Sequence, residues 1–184
     1  PEKVLEAVIF FDMRAVHGDI AGVESLRQTL LEWTQKREIF RRILTEDALR
    51  RRPPLGQIRD FRLSRGGDYP NTFDLKTEGL APIVEAARVL ALTHGVSSVS
   101  TTQRLRDLAS VDGLRAVDAA AYEEAFQHLQ LLRLQLHQEQ QRAGLAFHNR
   151  LNPDLLNPLN RRILRECLRQ VQRLQRDMAS RVGL

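Results

Sequence analysis

Cys167 is the only cysteine in this 184-residue chain, which excludes an internal disulfide and any zinc centre built from cysteines. It falls on the apolar stripe of a helical segment, where a free cysteine behaves as a small core residue. One tryptophan and two tyrosines offer little surface for stacking nucleobases. No run of about 18 apolar residues occurs, and VIFF at Val8 to Phe11 is too short to span a bilayer or act as a signal sequence. A cytoplasmic protein without a membrane partner is therefore expected. Lysine is confined to Lys3, Lys36 and Lys76, so almost all positive charge is arginine. His17, His128, His137 and His148 show no metal-ligand spacing.

With 42% hydrophobic and 28% charged residues, the chain is too apolar for disorder and long enough for one domain with a real core. A single unit over 1–184 is expected. Its start at Pro1 without a methionine suggests a piece of something longer. A net charge of +5 and a pI of about 10.1 raise the question of nucleic acid. The arginines, however, are spread over several helical faces, and solvated faces account for most of them, so nucleic acid is disfavoured as the main ligand.

The organising stretch is Asn71 to Gly95. Between Leu80 and Leu92 only Glu85 and Arg88 are charged, so this helix has no face suited to water and must be covered by others. Pro82 suits its first turn and Gly95 its C-cap. Around it the pattern predicts a short buried helix ending near Asp12 and a helix over Ile20 to Lys36. The latter is capped by Asp19 and carries a stripe of Val23, Leu26, Leu30 and Trp33. A third segment over Glu38 to Arg51 uses Ile39, Ile43, Leu44, Ala48 and Leu49 and stops at Pro53 and Pro54. A small helix is expected over Gln103 to Ser110. A long one over Asp118 to Arg142 has a stripe of Tyr122, Phe126, Leu129, Leu132 and Leu136, broadened by Leu131 and Leu134. A last one opens on Asn157 and Pro158. Ile58, Phe61 and Leu63 before Gly66 and Gly67, with Phe73 and Leu75 after, suggest a short hairpin. The expected fold is all-α: a helical bundle of about five main helices with one short β-hairpin insertion.

FFDMRAVHGD at Phe10 to Asp19, RPPLG at Arg52 to Gly56, NTFDLKTEGLAPIVEAARVLALTHG at Asn71 to Gly95 and NPDLLNPLNRRIL at Asn152 to Leu164 occur in that order. Together they resemble the C-terminal substrate-binding domain of bacterial nucleotidyltransferases that also carry CBS or cyclic-nucleotide-binding domains. The resemblance implies a signal-transduction protein in which a catalytic nucleotidyltransferase module precedes this domain and is its partner. It also implies magnesium and a nucleoside triphosphate as requirements of the full-length parent. Such a module needs a Gly-Ser turn and an Asp-x-Asp pair, because phosphoryl chemistry depends on metal bridging. Neither occurs here, so no catalytic residue and no metal ligand is assigned, no cofactor is expected in this piece, and it is expected to be inactive alone.

The candidate substrate-binding residues are Asp12, Arg14, Asp60, Asn71, Asp74 and Lys76. Each has a competing structural reading: Asp12, Arg14, Asp74 and Lys76 as partly buried ion pairs, Asp74 or Asn71 as satisfying backbone amides, and Asp60 with Arg59 as an exposed pair; Asp74 leans toward the structural role. Two other classes of function stay open. One is a scaffolding or homodimerising bundle. The other comes from Arg88 and His94, whose spacing looks like that of HEPN-type helical ribonucleases. On a continuous helix those two side chains stand about 120° apart, so they converge only if the helix ends before His94. Arg88 is otherwise an internal ion-pair partner, of Glu85 or an aspartate on the hairpin.

Overall fold

The computed structural model describes residues 7–56 and 61–184. After a 3-10 turn at Ala7–Asp12 come α1 (Ile20–Gln35) and α2 (Glu38–Ala48), then strand β1 (Phe73–Asp74). A wide π turn, Leu75–Leu80, leads directly into α3 (Ala81–His94). The chain continues through α4 (Thr101–Ser110), α5 (Ala116–Arg142), strand β2 (Arg150–Leu151), a 3-10 turn at Pro153–Leu155, and α6 (Pro158–Val182). The fold is mostly helical with a small β insertion, as the sequence pattern predicts. None of the described helices is long and apolar enough to cross a membrane.

α3 is the pillar: it packs against α1, α2, α4 and α6. Ile83, Ala86, Ala87, Val89, Leu90, Ala91 and Leu92 are all buried along it. It ends at Gly95, whose φ of 74° is left-handed and which closes the helix through its N–H to the Ala91 carbonyl. α6 presents Leu164, Cys167, Leu168, Val171, Leu174 and Met178 to the same core. It begins as the sequence predicts, with Asn157 accepting from the Asn160 amide at 2.8 Å. Truncating a fully buried leucine such as Leu90 or Leu168 would cost about 2–5 kcal/mol.

The amphipathic faces differ from the predicted stripes in one consistent way. α1 buries Leu31 and Thr34, while Leu26 and Trp33 are 51% and 44% exposed. α2 buries Leu44, Thr45 and Ala48 and leaves Ile39 exposed. In both helices a threonine takes a core position because its hydroxyl donates to the carbonyl four residues back, Leu30 at 2.7 Å and Arg41 at 2.8 Å. A pattern scored on apolar residues alone misses such positions and rotates the face. Leu131 and Leu134 of α5, and Ile9 in the first turn, are likewise exposed.

The β insertion is a two-stranded antiparallel pair, Phe73 opposite Leu151 and Asp74 opposite Arg150. Its second strand comes from beyond α5, not from the residues before Gly66. The Gly66–Gly67 loop is closed separately, by the Ser64 amide to the Thr72 carbonyl and the Asn71 amide to the Ser64 carbonyl, both at 2.8 Å. Pairing with β2 places Phe73 and Leu151 in the core, a gain that no local pattern reports.

Candidate functional site

The first charged cluster joins three elements. Asp12 ends the opening 3-10 turn, Arg88 projects from the middle of α3, and Arg104 from α4. Arg88 pairs with Asp12 through Nε, at 3.3 Å from Oδ1, and through Nη2. Arg104 donates through Nη2 to Asp12 Oδ1 at 2.7 Å and to the Phe11 carbonyl at 3.0 Å, and through Nε to the Ser98 carbonyl at 2.7 Å. One carboxylate thus serves two guanidiniums. Burial alone would raise the Asp12 carboxyl, but the hydrogen bond from Arg88 and the charge of Arg104 outweigh it and hold the group below the ordinary carboxylate range. Arg104 is 2% exposed, and burial pushes its guanidinium below its usual value against the pull of Asp12. Its Nη1 is buried without a partner among the described residues. Arg104 also lines a void of about 20 Å³ beside Phe11, Arg27 and Ser98, room for about one water.

A larger, half-open cavity of about 200 Å³ lies beyond Arg88, between α2 and α3. Its walls are Val8, Leu44, Asp47, Ala48, Arg51, Glu85, Arg88 and Val89. Arg51 Nη1 pairs with Glu85 Oε1, whereas Glu85 Oε2 is buried with no partner among the described residues. Burial raises the Glu85 carboxyl; Arg51 opposes this and nearby Asp47 adds to it. The chain segment carrying Arg51 is fixed from α6, where Gln175 Nε2 donates to the Ala48 carbonyl at 3.0 Å and to the Arg51 carbonyl at 2.7 Å.

The segment Asn71 to Lys76 is a clasp at a different place. Asp74 Oδ1 accepts from the Thr77 amide at 2.9 Å, and Glu78 Oε2 accepts from the Asp74 amide at 2.9 Å. This reciprocal cap resembles a capping box stretched by one residue, as the width of the π turn requires. Gly79 fits that turn because a Cβ there would stand 3.2 Å from Leu75 Cδ1, with Leu129 and Leu168 just beyond. The Leu75 amide donates to the Asn149 carbonyl at 2.8 Å, and Arg133 Nε donates to Asn149 Oδ1 at 2.8 Å, so the clasp is tied to the connection after α5. Asn71 is exposed with a left-handed φ of 58°. Lys76 and Arg14 are exposed.

Of the six residues singled out from sequence, Asn71, Asp74 and Lys76 lie on one segment, where Asp74 caps the π turn and Asn71 and Lys76 are exposed. Asp12 sits in the arginine junction, and Arg14 is apart on the following segment. Asp60 lies outside the described residues. None of Arg14, Asn71, Asp74 and Lys76 lines either cavity above, or a third one beside Leu49 and Gln175. Arg88 does have an internal partner, and among the described residues it is Asp12, not Glu85 or Asp74. α3 is continuous through His94, which packs beside Gly113 with its ring kept neutral-leaning, first by burial and then by Arg181. Arg88 and His94 therefore face different surroundings.

The chain matches, over residues 38–182, the sequence profile of a family described as "Putative nucleotidyltransferase substrate binding domain". It belongs to that family. No curated protein and no solved structure matches it. The span shared with the substrate-binding-domain family begins at the first residue of α2 and contains every wall residue of the 200 Å³ cavity except Val8. Asp12 and Arg14 precede it. Arg104, Arg51 and Glu85 are the residues sequence reasoning missed as site components. Arg104 left a trace, since it stands on the stripe of Leu105 and Leu108 where an apolar residue would be expected.

Proposed function

We propose that this substrate-binding domain holds and positions the acceptor of a nucleotidyl transfer, and that the cavity between α2 and α3 is where it does so. The observation that carries the reading is the coincidence of the family match with a cavity whose walls hold fixed charges of both signs and a buried carboxylate oxygen without a partner. Magnesium and the nucleoside triphosphate act, in this proposal, in a partner nucleotidyltransferase module of the same protein. This domain supplies orientation, which can contribute a large part of a barrier reduction without covalent chemistry.

The test uses the intact natural protein with magnesium, labelled nucleoside triphosphates and a cell extract as the source of acceptor. Label is expected to move to an acceptor. Asp47→Asn or Glu85→Gln is expected to raise the KM for that acceptor about tenfold or more, as for a lost charge-assisted hydrogen bond, while the KM for the nucleotide stays put. Absence of any transfer, or an acceptor KM indifferent to both substitutions, would overturn the proposal.

A further inference from the structure

We infer that the cavity between α2 and α3 is shaped for a small zwitterion, a protonated amine at its inner end and a carboxylate at its rim, of which a free α-amino acid is the simplest case. The inference rests on the function proposed above and names the class of molecule held.

Size favours a small ligand. At about 200 Å³ the cavity is smaller than the roughly 300–1,000 Å³ of pockets for drug-sized ligands. Charge disfavours a polyanion or a polyamine: among the wall residues Asp47 and Glu85 balance Arg51 and Arg88, so the lining favours a ligand of no net charge. The polar groups differ in burial, Glu85 lying deeper than Arg51. At the inner end, Glu85 Oε2 is buried and accepts nothing among the described residues, a state a protein leaves only at a cost unless a donor arrives. Oε2 is closed off from the cavity here, and a small turn of the Glu85 carboxylate lets an ammonium supply the donor. The ammonium also relieves the burial and the Asp47 repulsion that push the Glu85 carboxyl up. At the rim, Arg51 is half-exposed and spends only Nη1 on Glu85, so Nε and Nη2 are unengaged among the described residues and form the fork that binds a carboxylate in two-point fashion. Leu44, Ala48 and Val89 line the same cavity beside this pair and offer an apolar wall for the carbon skeleton. A phosphate in the inner position would face Glu85 and Asp47, and a diamine would face Arg51.

The experiment is isothermal titration of this chain with each of the common L-amino acids at millimolar concentration. Every binder is then compared with the matching amine lacking the carboxylate and the matching 2-hydroxy acid lacking the amine. At least one amino acid is expected to bind with a stoichiometry of one, and both analogues at least about tenfold more weakly, as the loss of a charge-assisted hydrogen bond implies. Glu85→Gln and Asp47→Asn should each weaken binding by a similar factor. Asp47 makes only a 3.9 Å contact to Arg50, so Asp47→Asn should keep the wild-type urea midpoint and separates lost binding from lost folding. Failure of every amino acid to bind, equal binding of the deaminated analogue, or binding untouched by both substitutions would overturn the inference. Should the intact protein transfer nucleotide in a cavity-dependent way while no amino acid binds, the ligand class is wrong and the function stands. Amino-acid binding without any transfer would instead uphold the ligand class and remove the transfer function.

Discussion

Asp12→Ala and Arg104→Met remove opposite ends of one ion pair, and the structure makes their costs unequal. Deleting Asp12 leaves Arg88 and Arg104, with side chains 12% and 3% exposed, facing each other with no anion between them. Arg104 already carries one orphaned nitrogen. Removing one partner of a fully buried pair costs about 3–5 kcal/mol. The Asp12 side chain is 37% exposed, so water and salt reach the junction, and the cost falls to about 2–3 kcal/mol. Arg104→Met, in contrast, removes the buried charge itself. It loses hydrogen bonds to the Ser98 and Phe11 carbonyls at about 1 kcal/mol each, and most of that is offset by the guanidinium no longer being desolvated, leaving a net cost of about 1 kcal/mol or less. In the Arg104→Met background, Asp12→Ala should cost only about 1 kcal/mol, because Arg88 alone then lacks its partner. Urea unfolding followed by far-ultraviolet circular dichroism at neutral pH measures all four corners of this cycle. The pH dependence is a second check. The Asp12 carboxyl lies below its ordinary 3.8 in the folded chain, so its contribution is complete above that value and is lost as pH falls through the depressed one. The gap between wild type and Asp12→Ala should hold constant down to about pH 4 and close below it. Arg104→Met costing more than Asp12→Ala, or a gap that closes already near neutrality, would refute the reasoning.

Glu85 carries the opposite sign. Its carboxyl is raised above the ordinary 4.5, so the penalty of keeping it ionised is full above the folded value and gone below 4.5. Wild type should therefore gain stability relative to Glu85→Gln as pH is lowered from 7 toward 4.5, measured by denaturant midpoints of the two proteins at each pH; a flat difference would show the side chain to be well solvated, and a trend the other way would show the pull of Arg51 to outweigh burial. Gln175→Met removes both donors that hold the Ala48 and Arg51 carbonyls, and it should cost about 2–3 kcal/mol in the same assay through two lost bonds and the acceptors left behind.

Short-range chemistry is legible along the chain. Asp19 at the start of α1, Pro82 and Gly95 at the two ends of α3, and Asn157 with Pro158 at the start of α6 mark boundaries because caps act within a turn of where they stand. The nearly unbroken apolar run from Leu80 to Leu92 has only one comfortable place, the centre of a bundle, and α3 is there. The division of Asn71 to Gly95 into a polar clasp and a pillar was also legible, and so was the leaning of Asp74 toward a structural role. Tertiary structure alone decided which charges meet. Arg88 had a nearer carboxylate in Glu85, yet its partner is Asp12, 76 residues away, because the opening turn lies across α3 where α4 delivers Arg104. Likewise β1 found β2 beyond α5, and Arg51 was brought to Glu85 by the packing of α2 on α3 under the hold of Gln175. Caps and periodicity are written in neighbouring residues, whereas a cavity or an ion-pair junction exists only where distant segments are packed against each other, and its members carry no mutual signal along the chain.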